Sequence, residues 1–463
     1  MIRRKFAFGW DQLKPPSRLS YDSHKTNCPI PRNFYRNNQN HNKVRFIVCC
    51  CETEGRANQQ ITEKVSSLYN HFPYPPDPIL DLPPLGYNWR WDYTTAFAFC
   101  SRRKPATSNI RILDAGCGTG CSTEYLVHLN QDAHVIGMDI SEKALAVAAE
   151  RLSKSVPQAK SRYRFIQKSL FDLDDSIGTF DLINCVGVIH HTSDPIMALK
   201  KLALRLKPDG ILHLFVYGKY GRWEISLMQQ AIRLLLGHGN ENWKEGVLVG
   251  RKLFSVLPEG NRIRKREEER WSRDNHQDAT FADMYIHPQE VDFTIDSLFH
   301  MIDSANLQFL GFTNPELFDI WRLVGKQEDI LVSKISLLSE RERYRLVELL
   351  DPDNMTHFEM FLSRKSFTKF SWTDRLLKSA KIQISSCLQG WPSQHLLDKD
   401  YRPITLTMPE YHFMHSAWIW YQEKGSFPTV NDILKHNHLQ REDILSLADR
   451  VLILLEPQDD DVS

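Results

Sequence analysis

Residues 112–120 read Ile-Leu-Asp-Ala-Gly-Cys-Gly-Thr-Gly, with glycines at 116, 118 and 120. An apolar run, Asn109-Ile-Arg-Ile-Leu-Asp, leads into them, and Ser122–Leu129, with apolar residues at Tyr125, Leu126 and Leu129, leads out. Strand, glycine turn and helix in that order leave few folds open. Glycine lets the chain turn sharply and lets a ligand approach the backbone closely, and in an open α/β sheet such turns lie at the carboxyl ends of the strands. A dinucleotide loop has the spacing G-x-G-x-x-G and aims a helix N-terminus at a pyrophosphate. Here the spacing is G-x-G-x-G, Cys121 stands in the third glycine slot, and Asp114 precedes the first glycine by two residues. A carboxylate beside the loop repels a pyrophosphate and suits the ammonium of an amino acid.

The downstream residues repeat the unit. Strand Ala133–Met138 ends at Asp139, and Ser141 caps a helix over Glu142–Leu152 whose Ala144, Leu145, Val147, Ala148 and Leu152 form an apolar face. Strands at Tyr163–Ile166 and Asp181–Val186, a helix at Pro195–Leu206 and a strand at Gly210–Val216 continue the alternation. The pattern predicts an α/β fold, Rossmann-like, with a mostly parallel sheet covered by helices on both faces. Strands at Leu307–Phe312 and Thr356–Ser363 bring the sheet to seven, with one reversed edge.

With these elements in place, the chain resembles class I S-adenosylmethionine-dependent methyltransferases. The likeness rests on the 112–120 loop, on Asp139 placed 23 residues after Gly116, on Gln167-Lys-Ser-Leu-Phe-Asp, and on Phe180–His191 with Asp194-Pro and Leu206-Lys-Pro-Asp-Gly after it. It covers 109–217 well and 293–364 loosely. It implies that S-adenosylmethionine is held by Asp114, Gly116, Cys117, Gly118 and Gly120, by Asp139 and Ile140 at the ribose, by Ser169 and Leu170 at the adenine, and by Cys185. The family often has Asp where Ser169 stands. The layout, with Phe72-Pro-Tyr-Pro-Pro before the motif and Tyr217-Gly-Lys-Tyr-Gly-Arg after the fifth strand, also resembles an uncharacterised cyanobacterial and plant group.

Charge is uneven along the chain. Residues 1–50 hold ten Lys/Arg and two Asp/Glu, whereas the other 413 hold 48 and 55. The mildly acidic remainder argues against a nucleic-acid binder, which needs a clustered basic surface. No apolar run approaches the roughly 18 residues that span a bilayer. Nine cysteines show no paired zinc spacing, so Cys117 and Cys121 read as small packing residues and no metal is expected. The basic, acid-poor residues 1–57 read as a targeting segment for a plastid, ending near Cys49–Cys51, with a cytoplasmic protein as the alternative. Residues 58–108 read as a short helix and a proline-rich, aromatic strap. The remaining units are the cofactor-binding core at 109–218, a helical insertion at 219–290, the end of the core at 291–365, and a helical extension at 366–463.

Methyl transfer is an in-line displacement that depends mainly on positioning; a base is needed when the acceptor carries a proton. His190 and His191 follow the fourth strand and are the candidate bases, with His190 preferred from strand alternation. Tyr217, Arg222, Asp283, Tyr285 and His287 flank the insertion and are the candidate acceptor pocket, and strap and insertion are expected to close over it as a lid. Two functions fit: a methyltransferase acting on a small-molecule or protein acceptor, and an inactive cofactor-binding adaptor whose insertion and C-terminal extension hold a protein partner.

Overall fold

A computed structural model of the protein describes residues 58–82, 88–106, 109–237, 241–435 and 439–458. The expected targeting segment and the acidic end lie outside the described residues. Helix α1 (58–71), the strap and α2 (Tyr93–Ser101) come first. Then β1 (Arg111–Ala115), α3 (Cys121–Leu129), β2 (His134–Asp139), α4 (Glu142–Ser155), β3 (Tyr163–Gln167), β4 (Phe180–Val186), α5 (Pro195–Arg205) and β5 (Leu206–Tyr217) alternate as expected. The insertion carries α6 (Trp223–Leu236), α7 (Trp243–Val256), α8 (Arg262–Arg270) and α9 (Asp278–Phe281), which runs into a π-helical turn, Ala282–Ile286. Helix α10 (Ile295–Ser304), β6 (Leu307–Phe312) and β7 (His357–Arg364) complete the core.

The sheet order is β3-β2-β1-β4-β5-β7-β6. The strands from β3 to β5 pair in parallel, and β7 is antiparallel to both β5 and β6. The reversed strand is therefore not the edge. Phe358, Met360, Phe361 and Leu362 of β7 are all fully buried. Three consecutive apolar residues mark a strand covered on both faces, which suits a central position better than the half-buried edge expected from alternation. One sheet face packs Leu113, Ile183, Cys185 and Leu212 against α5 and α10. The other packs Ile112, Leu182, Ile211 and Phe361 against the strap end, α2 and α3.

Strap and insertion form one packed body. Leu68 of α1 shares a core with Ile225, Ile232, Trp243, Phe281 and Tyr285, and Trp243 Nε1 donates to Ser67 Oγ at 3.1 Å. The C-terminal extension is not purely helical. Strands Lys381–Ile384 and Ile453–Glu456 pair antiparallel beneath helix Met408–Lys424, around a separate core of Trp372, Ile382, Phe413, Leu447 and Leu455. Within the extension expected to be helical, helix Arg441–Asp449 ends and Val451 takes a positive φ of 58° before the strand.

Candidate functional site

All three loop glycines are left-handed, with φ of +77°, +51° and +82° at 116, 118 and 120. Only glycine adopts such angles cheaply, and space forbids a side chain too: a Cβ on Gly118 would stand 2.3 Å from the carbonyl oxygen of Tyr74. The strap is what lies there. Thr119 N donates to Tyr74 O at 3.0 Å and Thr119 Oγ1 to Pro75 O at 2.6 Å. Arg151 of α4, 3% exposed, fastens both segments, donating to Thr119 O at 2.9 Å, Pro78 O at 3.0 Å and Asp77 O at 2.8 Å.

Asp114 is buried behind the loop and already holds three side-chain donors. Its carboxylate accepts from Ser122 Oγ at 2.7 Å, Thr123 Oγ1 at 2.5 Å and Asn184 Nδ2 at 2.7 Å. These bonds staple β1 to α3 and β4. Burial raises its pKa, against the pull of those donors. The bonds continue sideways across the sheet. Asn184 Oδ1 accepts from Trp91 Nε1 at 3.0 Å and lies 2.8 Å from His213 Nδ1, whose Nε2 lies 2.9 Å from Glu359. Arg90 then joins Glu359 to Asp400 of the extension, at 2.8 and 3.2 Å. Burial opposes the Glu359 charge, but Arg90 and His213 hold its pKa well below the usual carboxylate range.

Asp139 ends β2 with each carboxylate oxygen on a main-chain N–H, Gly118 and Ser141, both at 2.8 Å. Burial nevertheless raises its pKa. Beyond it opens a cleft of about 700 Å³ lined by Ile140, Ser169, Asp172, Lys143 and the α1 residues Ser66 and Asn70. Two expected members are elsewhere. Cys185 is fully buried in the core, because alternation along β4 turns it to the face opposite Asn184. Leu170 likewise packs into that core, leaving Ser169 and Asp172 at the cleft. Cys117 is buried 3% exposed beneath the loop, its main-chain N donating to Met138 O.

The carboxyl ends of β4 and β5 meet the strap and the insertion in a second, closed cluster. His191 stacks on His287 with centroids 3.7 Å apart, and His190 lies 4.0 Å from the Tyr217 ring. The Arg222 guanidinium sits 3.4 Å from the centre of the Tyr217 ring and pairs with Glu290 at 3.2 Å. Burial opposes its charge, but Glu290, Tyr217 and Asp292 push its pKa up; Asp292, itself buried beside Glu290, is raised to about 7. Tyr69 of α1 donates to Asp283 Oδ1 at 2.8 Å, so strap and insertion are joined across this cluster. Burial and then Asp283 raise the Tyr69 pKa, while burial and the neighbouring His191 hold His287 well below the usual imidazole value. Burial also lowers His190, whose nitrogens have no partner.

Tyr217, Arg222, Asp283, His287, His190 and His191 are thus brought together. Tyr285 is not among them: it packs on Phe254 and Phe281 inside the insertion, its hydroxyl on Glu267. The π-helical turn separates it from Asp283, two residues earlier, which faces the cluster. Tyr220 is exposed, and Trp91 serves Asn184 instead of the lid.

A family model described as a methyltransferase domain matches residues 113–212. An uncharacterised protein of Synechococcus sp. is 47% identical over 398 residues, 86% of this chain and 94% of its own length. The chain belongs to the S-adenosylmethionine-dependent methyltransferases. Among solved structures, PKMT2 from Rickettsia typhi shares the fold at 15% identity, with a TM-score of 0.53, over 81% of this chain and 76% of that one. The same protein with AdoHcy bound scores 0.52 at 16% identity, over 81% and 77%.

In this methyltransferase several site residues carry no motif. Tyr69 comes from α1, and Gln289, Glu290 and Asp292 from the end of the insertion and the residues just after it. A signal was present for the sheet network: Asn184, His213 and Glu359 are each polar among apolar residues of a strand, and Asp114, Asn184 and His213 are direct cross-strand neighbours. Single-strand reading does not show that register.

Proposed function

We propose that the methyltransferase seats its cofactor along the left-handed glycine loop, with Asp139 at the ribose and Ile140 and Ser169 at the adenine end of the open cleft. The observation that carries this reading is the Gly118–Asp139 contact at 2.8 Å, which ties the left-handed loop to the carboxylate ending β2, one residue before Ile140 on the wall of a cleft of about 700 Å³. S-adenosylmethionine supplies an electrophilic methyl on a sulfonium when bound. Asp139 presents two acceptor oxygens to vicinal hydroxyls, the glycine loop admits a main chain close to the ligand, and the strap excludes water.

His191 is the base in this reading, in place of His190. Its Nδ1 is fixed by the Gln289 carbonyl at 2.9 Å, whereas His190 is fully buried with both nitrogens unbonded and lies against Tyr217, where it packs. Asp283 lies near the His191 ring, and burial raises the Asp283 pKa. Tyr217, Arg222 and His287 wall the acceptor. Isothermal titration of S-adenosylmethionine tests the seat: Asp139→Ala removes charge-assisted bonds of roughly 1.5–3 kcal/mol each, so binding should fall at least tenfold. Unchanged binding, or tight binding of NAD, would sink the reading. The +8 charge of residues 1–50 supports plastid import, and recovery of intact Met1 from native tissue would refute it.

A further inference from the structure

Gln289 sets opposite tautomers in two touching histidine rings. Its main-chain N donates to His287 Nδ1 at 3.1 Å, so that nitrogen holds the lone pair and Nε2 carries the hydrogen. Its carbonyl oxygen, which can only accept, lies 2.9 Å from His191 Nδ1, so in the neutral His191 ring the lone pair is on Nε2. The rings are stacked, 3.7 Å apart at 28°. His287 is fully buried and its Nε2–H has no partner among the described residues. A buried N–H left unpaired costs about 1–3 kcal/mol, and in a native fold it demands a reason.

We propose that the His191–His287 pair is built for a hydroxyl acceptor, so that the enzyme methylates oxygen: the hydroxyl gives its proton to His191 Nε2 and accepts from His287 Nε2–H. This rests on the methyltransferase reading above. The distinction lies in lone pairs. A hydroxyl oxygen has two, one for the His287 N–H and one for the methyl. A neutral amine has one, which the methyl takes, and an ammonium has none, so neither satisfies His287. A thiol sulfur accepts hydrogen bonds weakly. In the step, the O–C bond forms as the sulfonium C–S bond breaks with its electron pair left on sulfur, and the hydroxyl proton passes to His191 Nε2 and then to solvent. Asp283, held by Tyr69 at 2.8 Å, stands beside the pair.

The test uses the full chain, S-adenosylmethionine carrying a carbon-13 methyl, and a metabolite and protein extract of the organism that encodes the chain. A proton–carbon correlation spectrum separates O-, N-, C- and S-methyl groups. New signals in the O-methyl region support the inference. Label on nitrogen, carbon or sulfur overturns it while leaving methyl transfer intact. Cofactor binding by titration with no transferred label overturns the methyltransferase reading and the inference together. On the labelled extract, His191→Asn, which keeps a donor for Gln289, should slow transfer about 100-fold or more. His287→Gln, which keeps a terminal N–H, should retain more than ten times the rate of His287→Leu, both binding cofactor as the parent does. Equal rates for Gln and Leu would remove the donor role.

Discussion

The Asp114–Asn184 contact can be inverted, and the outcome separates two roles for the motif carboxylate. In Asn184→Asp a second carboxylate faces Asp114 across the present 2.7 Å contact, at a site where Asp114 is 1% exposed. One of the pair must bind a proton or stay uncompensated, and an uncompensated buried charge costs about 3–5 kcal/mol. Asp114→Asn alone is milder. The Ser122 and Thr123 hydroxyls can turn to accept from the new amide, so the loss is that of charge assistance, about 1–2 kcal/mol. In the double variant every bond has a partner again: Asn at 114 donates to Asp at 184, which still accepts from Trp91 and His213. Urea unfolding of the four proteins should place the double variant within about 2 kcal/mol of the parent, with a favourable coupling of at least about 2 kcal/mol. Additive losses would refute the staple. Cofactor titration then adds the second reading. A stable double variant with parental affinity makes Asp114 purely structural, and a stable one that no longer binds shows that its charge reaches the ligand.

Glu348 is 2% exposed and accepts from Ile295 N at 3.0 Å, and burial raises its pKa to about 7. The fold therefore keeps a proton that the unfolded chain releases near the ordinary value of 4.5, so this contribution is present below that pH and is lost as pH rises to about 7. Glu348→Gln keeps the acceptor and should stabilise the protein at pH 8 by on the order of 1–3 kcal/mol, the gain vanishing below about pH 4; a pH-independent difference in unfolding midpoint would contradict this. Arg151→Met removes both strap bonds and the one to Thr119 O, so amide exchange over 69–82 should quicken roughly tenfold or more while β1 stays protected. Equal quickening in β1 would show global destabilisation instead.

The parts of the fold that were legible are those in which local chemistry and burial agree. Gly116, Gly118 and Gly120 turn as their spacing implies, Ser141 caps α4 by accepting from Ala144 N, and the parallel strands read as short apolar runs. Failures occurred where a residue's environment is set by distant chain. Whether Met360-Phe-Leu is central or at an edge depends on where β6 lands. Whether Ile453–Glu456 is helix or strand depends on Lys381–Ile384, about seventy residues away along the chain, with which it pairs. The preference between His190 and His191 depended on strand alternation, but β4 ends at Val186 and both histidines lie in a 3-10 turn, where period two no longer applies.

The acceptor site was the least legible part for the same reason, and its closure follows from how it is built. Tyr69 and Asp283 are 214 residues apart and meet only because α1 packs into the core of the insertion through Leu68. The strap carrying Tyr74 is bonded to the cofactor loop at Thr119. One continuous body therefore touches the glycine loop at one end and the His191–His287 pair at the other. If the acceptor lies at the His191–His287 pair and the cofactor at the glycine loop, as proposed, α1 and the strap tie the two places together through the Tyr69–Asp283 and Thr119–Tyr74 bonds, and substitutions in α1 should then alter both affinities together.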